Sequence, residues 1–153
     1  MRYTQGQVRD ILGIPVETFR TWRETLPALS RHRGHGPTLT PGDIVALAVV
    51  AEIVRDYGIK VGTVAARLNH IVEACHGLSW LSLEDQCVLI GTESAKLTAV
   101  QRVTTDLAET KLVVPCRPII VRLRGALSEA EPDGSQGHLQ FPPTALTGGE
   151  RHG

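Results

Sequence analysis

The sequence predicts a mainly α-helical fold with a small α+β part toward its C-terminal side. Two observations carry this. From residue 4 to residue 76, apolar residues recur at helical spacing, and each run is bracketed by start and stop signals. Beyond Gly77 the apolar runs shorten to strand length and end at Gly91 or Pro115.

Thr4 to Gln7 reads as a capping box, with a hydroxyl at the N-cap and a Gln three residues later. Val8, Ile11 and Leu12 follow at helical spacing, and Gly13 ends the helix in a left-handed conformation. A second helix starts at Pro15 or Val16 and runs to about Thr25, with Val16, Phe19, Trp22 and Leu26 on one stripe. Residues 30–37, Ser-Arg-His-Arg-Gly-His-Gly-Pro, form a basic, glycine-containing loop expected to be a hairpin tip. Thr40-Pro41-Gly42-Asp43 then supplies an N-cap, a first-turn proline and a first-turn acid for a helix reaching Tyr57 and stopped by Gly58. A fourth helix spans Val61 to Cys75, with Val64, Leu68, Ile71, Val72 and Cys75 on one face, and Gly77 stops it.

After Gly77, residues 80–84 read as a short helix or turn and Cys87–Ile90 as a strand. Leu97–Val103 and Lys111–Val114 are further strand candidates, and 118–127 fits a helix behind Pro118 somewhat better than a strand. From Ser128 to Gly153 the chain is rich in Gly and Pro and poor in large apolar residues, so a disordered tail is expected. The predicted organisation is therefore a helical domain over 1–76, a small α+β region over 77–127 that dimerises or binds a partner, and a tail over 128–153.

Composition removes several classes. The 153 residues are 42% hydrophobic and 21% charged, ordinary for a globular chain. No apolar run approaches the roughly 18 residues of a membrane span, and no apolar segment of signal-peptide type follows the start. Three scattered cysteines build no disulfide framework, which suits a reducing cytoplasm. Net charge is zero, but it is distributed as a gradient: residues 1–36 carry six arginines against three acids, and 128–153 carry four acids against Arg151. An Arg-rich head with His32 and His35 suits a phosphate-rich partner.

Two short helices joined by a glycine-containing turn, then a basic loop and two more helices, is a winged helix-turn-helix layout. In it the first helix packs Val8, Ile11 and Leu12 across Phe19 and Trp22 of the second. Opposite that apolar stripe the second helix presents Glu17, Arg20, Thr21 and Glu24, flanked by Thr18 and Arg23. Arginines there can fork onto guanine edges or grip phosphate, threonines can touch a thymine methyl or a phosphate, and Glu17 can accept from cytosine. Arg31, His32, Arg33 and His35 suit the flanking backbone or minor groove.

Tyr3-Thr4 through Gly13-Ile14, then Thr18-Phe19-Arg20-Thr21-Trp22-Arg23-Glu24, resembles the N-terminal DNA-binding domain of MerR-type transcription regulators. That family runs Tyr-Thr, a short helix, Gly-Val, then Thr-Leu-Arg-Tyr-Tyr-Glu. The likeness extends over about residues 2–76, through the wing, Thr40, Asp43 and Gly58-Ile59. It implies DNA contacts from Tyr3, Arg20 and the wing arginines, and Thr4 beside Tyr3 is a further candidate contact. Thr21 stands where the family usually has an aromatic residue, and Pro15 where it often has a Ser N-cap. No sustained heptad run follows Gly77, so the family's dimerisation coiled coil and effector chemistry are not expected here.

The expected function is that of a sequence-specific double-stranded DNA-binding transcription regulator, bacterial or phage in style and nucleoid-associated. A homodimer would place two recognition helices one helical turn apart, or a multiple of it. Two rivals stay open: an excisionase-like or phage packaging and recombination binder that shapes DNA, and a protein-interaction adaptor. No nucleophile elbow, phosphate loop or paired-acid frame appears, so no enzymatic activity and no cofactor are expected. Cys75-His76, Cys87 and Cys116 lack metal-ligand spacing and read as packing thiols. Residues 77–127 hold too little core to stand alone, so they are expected to pack on a second copy or on the helical half, with Cys87–Ile90 a candidate for pairing between copies.

Overall fold

The structure, a computed structural model, describes residues 1–32, 34–106 and 108–130 of the chain. It is mostly helical, with one three-stranded antiparallel sheet on the C-terminal side. Helix α1 is Gln5–Leu12 and α2 is Val16–Thr25; a 3₁₀ turn at Pro27–Leu29 follows. Helix α3 is Pro41–Tyr57, α4 is Val61–Cys75 and α5 is Trp80–Leu83. Strands β1 (Gln86–Ile90), β2 (Ala95–Ala99) and β3 (Leu112–Pro115) precede the last helix, α6 (Cys116–Ala130).

The start and stop signals act as expected. Thr4 and Thr40 each close a capping box, with Gln7 and Asp43 reaching back to the cap N–H groups. Gly13 ends α1 at φ 64°, where a residue with a Cβ is strained. Helix α3 forms the centre: every residue from Gly42 to Ala51 is buried, and α1, α4, α5 and α6 all pack against it. Arg55 ties α1 to it by donating to the Leu12 carbonyl at 3.2 Å.

Its tightest contact explains Gly42. A Cβ there would lie 1.8 Å from the Cys75 carbonyl oxygen, so only glycine lets the start of α3 meet the end of α4. Trp80 locks the junction by donating its indole N–H to the Pro41 carbonyl at 2.8 Å.

Helix α1 faces α3 and α6 rather than α2. Ile11 and Leu12 line a groove with Ala48, Ala51, Ile119 and Leu123, which corrects their expected place across Phe19 and Trp22, while Val8 is buried in the same core cluster as those two rings. Helix α2 instead seats its stripe near the 3₁₀ turn and α4. Residues 30–37 do not form the tip of a β-ladder among the described residues. The outgoing arm is pinned when Ala28 donates its N–H to Asn69 on α4 at 2.7 Å. The returning arm meets Tyr3, with Tyr3–Leu39 N–H···O bonds of 2.8 and 3.0 Å.

In the sheet, β1 lies between β2 and β3, with Val88 opposite Leu97 on one side and Val114 on the other. Both edges of β1 are therefore filled within the chain, and pairing of Cys87–Ile90 with a second copy is excluded. Strand β2 stops at Ala99, short of the expected Val103, because β1 runs out of partners at Gln86. Val100 then bonds the Asp85 carbonyl at 2.9 Å and the chain turns into a 3₁₀ segment, Val100–Asp106. Pro115 closes β3, an edge strand where its missing N–H is tolerated. Helix α6 passes the expected boundary at 128: Leu127 still touches the core, and the Ser128 hydroxyl back-bonds to the Arg124 carbonyl at 3.0 Å. The rest of the expected tail, 131–153, lies outside the described residues.

One hydrophobic cluster joins Phe19 and Trp22 with Leu47 and Leu68, and with Val88, Val114, Ile119, Ile120 and Leu123. Residues 77–127 thus bury their apolar face on the helical half, the second of the two ways to complete a core of that size. No described helix is long and apolar enough to cross a membrane.

Candidate nucleic-acid interface

Helix α2 is a peripheral ridge with an anchored inner side. Phe19 and Trp22 are each 3% exposed, and Glu17, Arg20, Thr21 and Glu24 are exposed on the opposite side. Thr18 and Arg23 sit half-buried on the flanks. Two hollows border the ridge. One, of about 650 Å³, lies between α2, the start of α1 and the loop at Gly34 and His35. The other, about 630 Å³, lies toward Pro27 and Ser30. Arg20 and Arg23 line both, so the two guanidinium groups stand on the crest between them.

The crest is organised by short-range contacts. Arg20 pairs with Glu17 one turn earlier at 3.5 Å, both side chains being more than half exposed. Such a pair is worth little in water and opens readily for a better partner. Arg23 is positioned more firmly, donating to Gln5 Oε1 at 2.9 Å. The same Gln5 amide donates to the His32 carbonyl, so one side chain links α1, α2 and the loop. The Thr21 hydroxyl bonds back to the Glu17 carbonyl at 3.0 Å.

The other sequence-predicted contacts divide. Arg31 is exposed and reaches Glu73 on α4 at 3.0 Å. His35 is exposed beside the larger hollow. Arg33 lies outside the described residues. Thr4 is occupied in its capping box and is half-buried at the rim of the same hollow. Tyr3 is 8% exposed, and its hydroxyl meets the Met1 sulfur at 2.9 Å; burial raises its pKa above the usual 10.0. His32 is 7% exposed and turned inward, so its ring does not share the surface of Arg20 and His35. Two groups escaped the sequence reading. Arg9 lines the larger hollow, and its only prior signal was the Arg bias of the head. Gln5 carried no signal beyond opening α1.

Behind the loop, His32 meets Asp43 and His76. Their nearest ring and carboxylate atoms all lie within 4.8 Å of one another. Burial pushes the Cys75 thiol up to about 12 and the Cys116 thiol up to about 11, and raises that of Cys87. All three are thiols at neutral pH, suited to packing rather than nucleophilic chemistry. No protein-family model, curated protein or solved structure matches the chain.

Proposed function

We propose that the chain is a sequence-specific double-stranded DNA-binding regulator with a MerR-like winged helix-turn-helix over residues 1–76. Helix α2 enters the major groove with Arg20 and Arg23 on base edges or phosphates, and Thr18, Thr21 and Glu17 beside them. Arg31, His35 and Arg9 lie on the flanking backbone. The observation that supports this reading best is the crest itself: Arg20 on the outer side and Arg23 on the flank of a helix whose inner side is fixed by Phe19 and Trp22, both lining the hollows on either side of it. A groove-reading helix must protrude in this way, because a B-DNA major groove about 12 Å wide admits a helix only when nothing beside it blocks the approach.

The test is selection of bound duplexes from a random library by the full chain, with the length of the recovered motif noted. A single recovered motif supports sequence reading, and a two-fold repeat at one-turn spacing adds a dimer to it. Recovery of flexible, bendable steps without a motif would move the assignment to an architectural binder. No enrichment at low salt would remove DNA as the ligand and leave the protein-adaptor reading.

A further inference from the structure

We propose that His32, Asp43 and His76 form a binding site for a divalent transition-metal ion of the zinc class, which staples the basic loop to the helical scaffold. The three side chains come from three elements: the loop after the Pro27–Leu29 turn, the first turn of α3, and the residue capping α4. They converge because Gly42 lets the start of α3 abut the end of α4. Two imidazole nitrogens and one carboxylate oxygen are a donor set that zinc and its neighbours prefer, and one that calcium and magnesium, which favour all-oxygen shells, do not.

The spacing carries the argument. His76 Nδ1 lies 2.9 Å from Asp43 Oδ1 and 3.0 Å from Oδ2. His32 Nε2 lies 3.7 Å from Oδ2, too far for a direct hydrogen bond. A direct bond accounts for the His76 contact and leaves the inward turn of His32 unexplained. A tetrahedral ion bonded at roughly 2.0–2.2 Å to each atom sets ligand atoms about 3.3 Å apart. The 3.7 Å contact would close and the 2.9 Å contact open by a few tenths of an ångström, and the two imidazole nitrogens, within 4.8 Å, would draw in further.

Charge points the same way. The Asp43 side chain is fully buried, and a buried carboxylate is costly unless it is paired. Apart from the two imidazoles it receives the Thr40 N–H at 2.8 Å, a bond that would also orient it as a ligand. The His76 side chain is 38% exposed, which gives the ion an entry side and leaves room for water as a further ligand.

The test uses the full chain stripped with a chelator and titrated with zinc chloride alone, without DNA, so its outcome is independent of the DNA-binding proposal. Calorimetry is expected to give one ion per chain, and bound cobalt(II) is expected to show the visible absorption of a low-coordinate nitrogen–oxygen site. His76→Gln keeps a hydrogen-bond donor for Asp43 but ligates poorly, and its exposed position favours folding. It is expected to weaken zinc binding by about tenfold or more. His32→Gln is expected to do the same, and His70→Ala on the outer side of α4 to do nothing. Absence of stoichiometric binding, or equal affinity in His76→Gln and the unaltered chain, would overturn the proposal and leave a plain Asp–His hydrogen bond.

Discussion

Helices α2 and α3 divide the work of the molecule. In α3 every residue from Gly42 to Ala51 is buried, whereas α2 buries only Phe19 and Trp22; Val16, expected on the same stripe, is exposed at its first turn, and the remaining side chains are charged or hydroxyl. A helix buried all round has no face to spare for a ligand, and its substitutions are felt as strain or cavities. A helix held by one stripe can change its outer residues with little effect on the fold. On the proposed DNA-binding reading, stability and recognition are therefore separable between these two helices.

The largest effect is expected from Gly42→Ala. Its methyl would meet the Cys75 backbone, which has no rotamer with which to yield. A loss of about 3 kcal/mol or more in denaturant unfolding is expected, at the upper end of overpacking costs. A near-neutral result would show that the α3–α4 junction is looser than described. Next, Arg20→Ala and Arg23→Ala are each expected to weaken specific DNA binding by roughly 1–3 kcal/mol. For Arg20→Ala, unfolding free energy should stay within about 0.5 kcal/mol. Arg23→Ala also gives up the bond to Gln5 and is expected to cost about 1 kcal/mol of stability. An Arg20 variant that unfolds the chain would break the division between the two helices.

Thr40→Ala removes an N-cap and is expected to cost about 1 kcal/mol, with Thr40→Ser restoring most of it. In alkali the sign follows from the thiols. Cys116 is pushed up to about 11 in the folded chain and ionises near 9 when unfolded. Between those values the unfolded state binds fewer protons, so stability falls as pH rises above about 9. Cys116→Ala should flatten that slope, as read by thermal unfolding at several pH values. The smallest effect belongs to Arg31→Ala, whose exposed pair with Glu73 is worth about 0.5 kcal/mol or less.

Much of the helical half was legible because its punctuation is local. Thr4, Gly13, Thr40, Gly58, the α4 stripe and the α2 stripe apart from the exposed Val16 act through residues within one or two turns. What was illegible depends on partners far away in sequence. The β2 boundary is set by the length of β1, and the loop conformation by Asn69 and Tyr3. The central place of β1 follows from which strands flank it. A continuous apolar run such as Cys87–Ile90 marks a strand buried on both sides but not its neighbours. On the candidate interface, the outward residues of α2 followed from helical periodicity. The inward turn of His32 did not, because Asp43 and His76, which it meets inside, lie 11 and 44 positions away along the chain. Gln5 bridges α1, α2 and the loop through a side chain that leaves no pattern in the sequence.

The most direct measurement is a fluorescence-anisotropy titration of a selected duplex with the full chain and with the Arg20→Ala/Arg23→Ala variant, repeated over a range of salt concentrations. The unaltered chain is expected to bind tightly and in a salt-dependent way. The variant is expected to lose at least about tenfold in affinity with thermal stability largely kept. Equal affinity of the two proteins for that duplex would contradict the role given to helix α2.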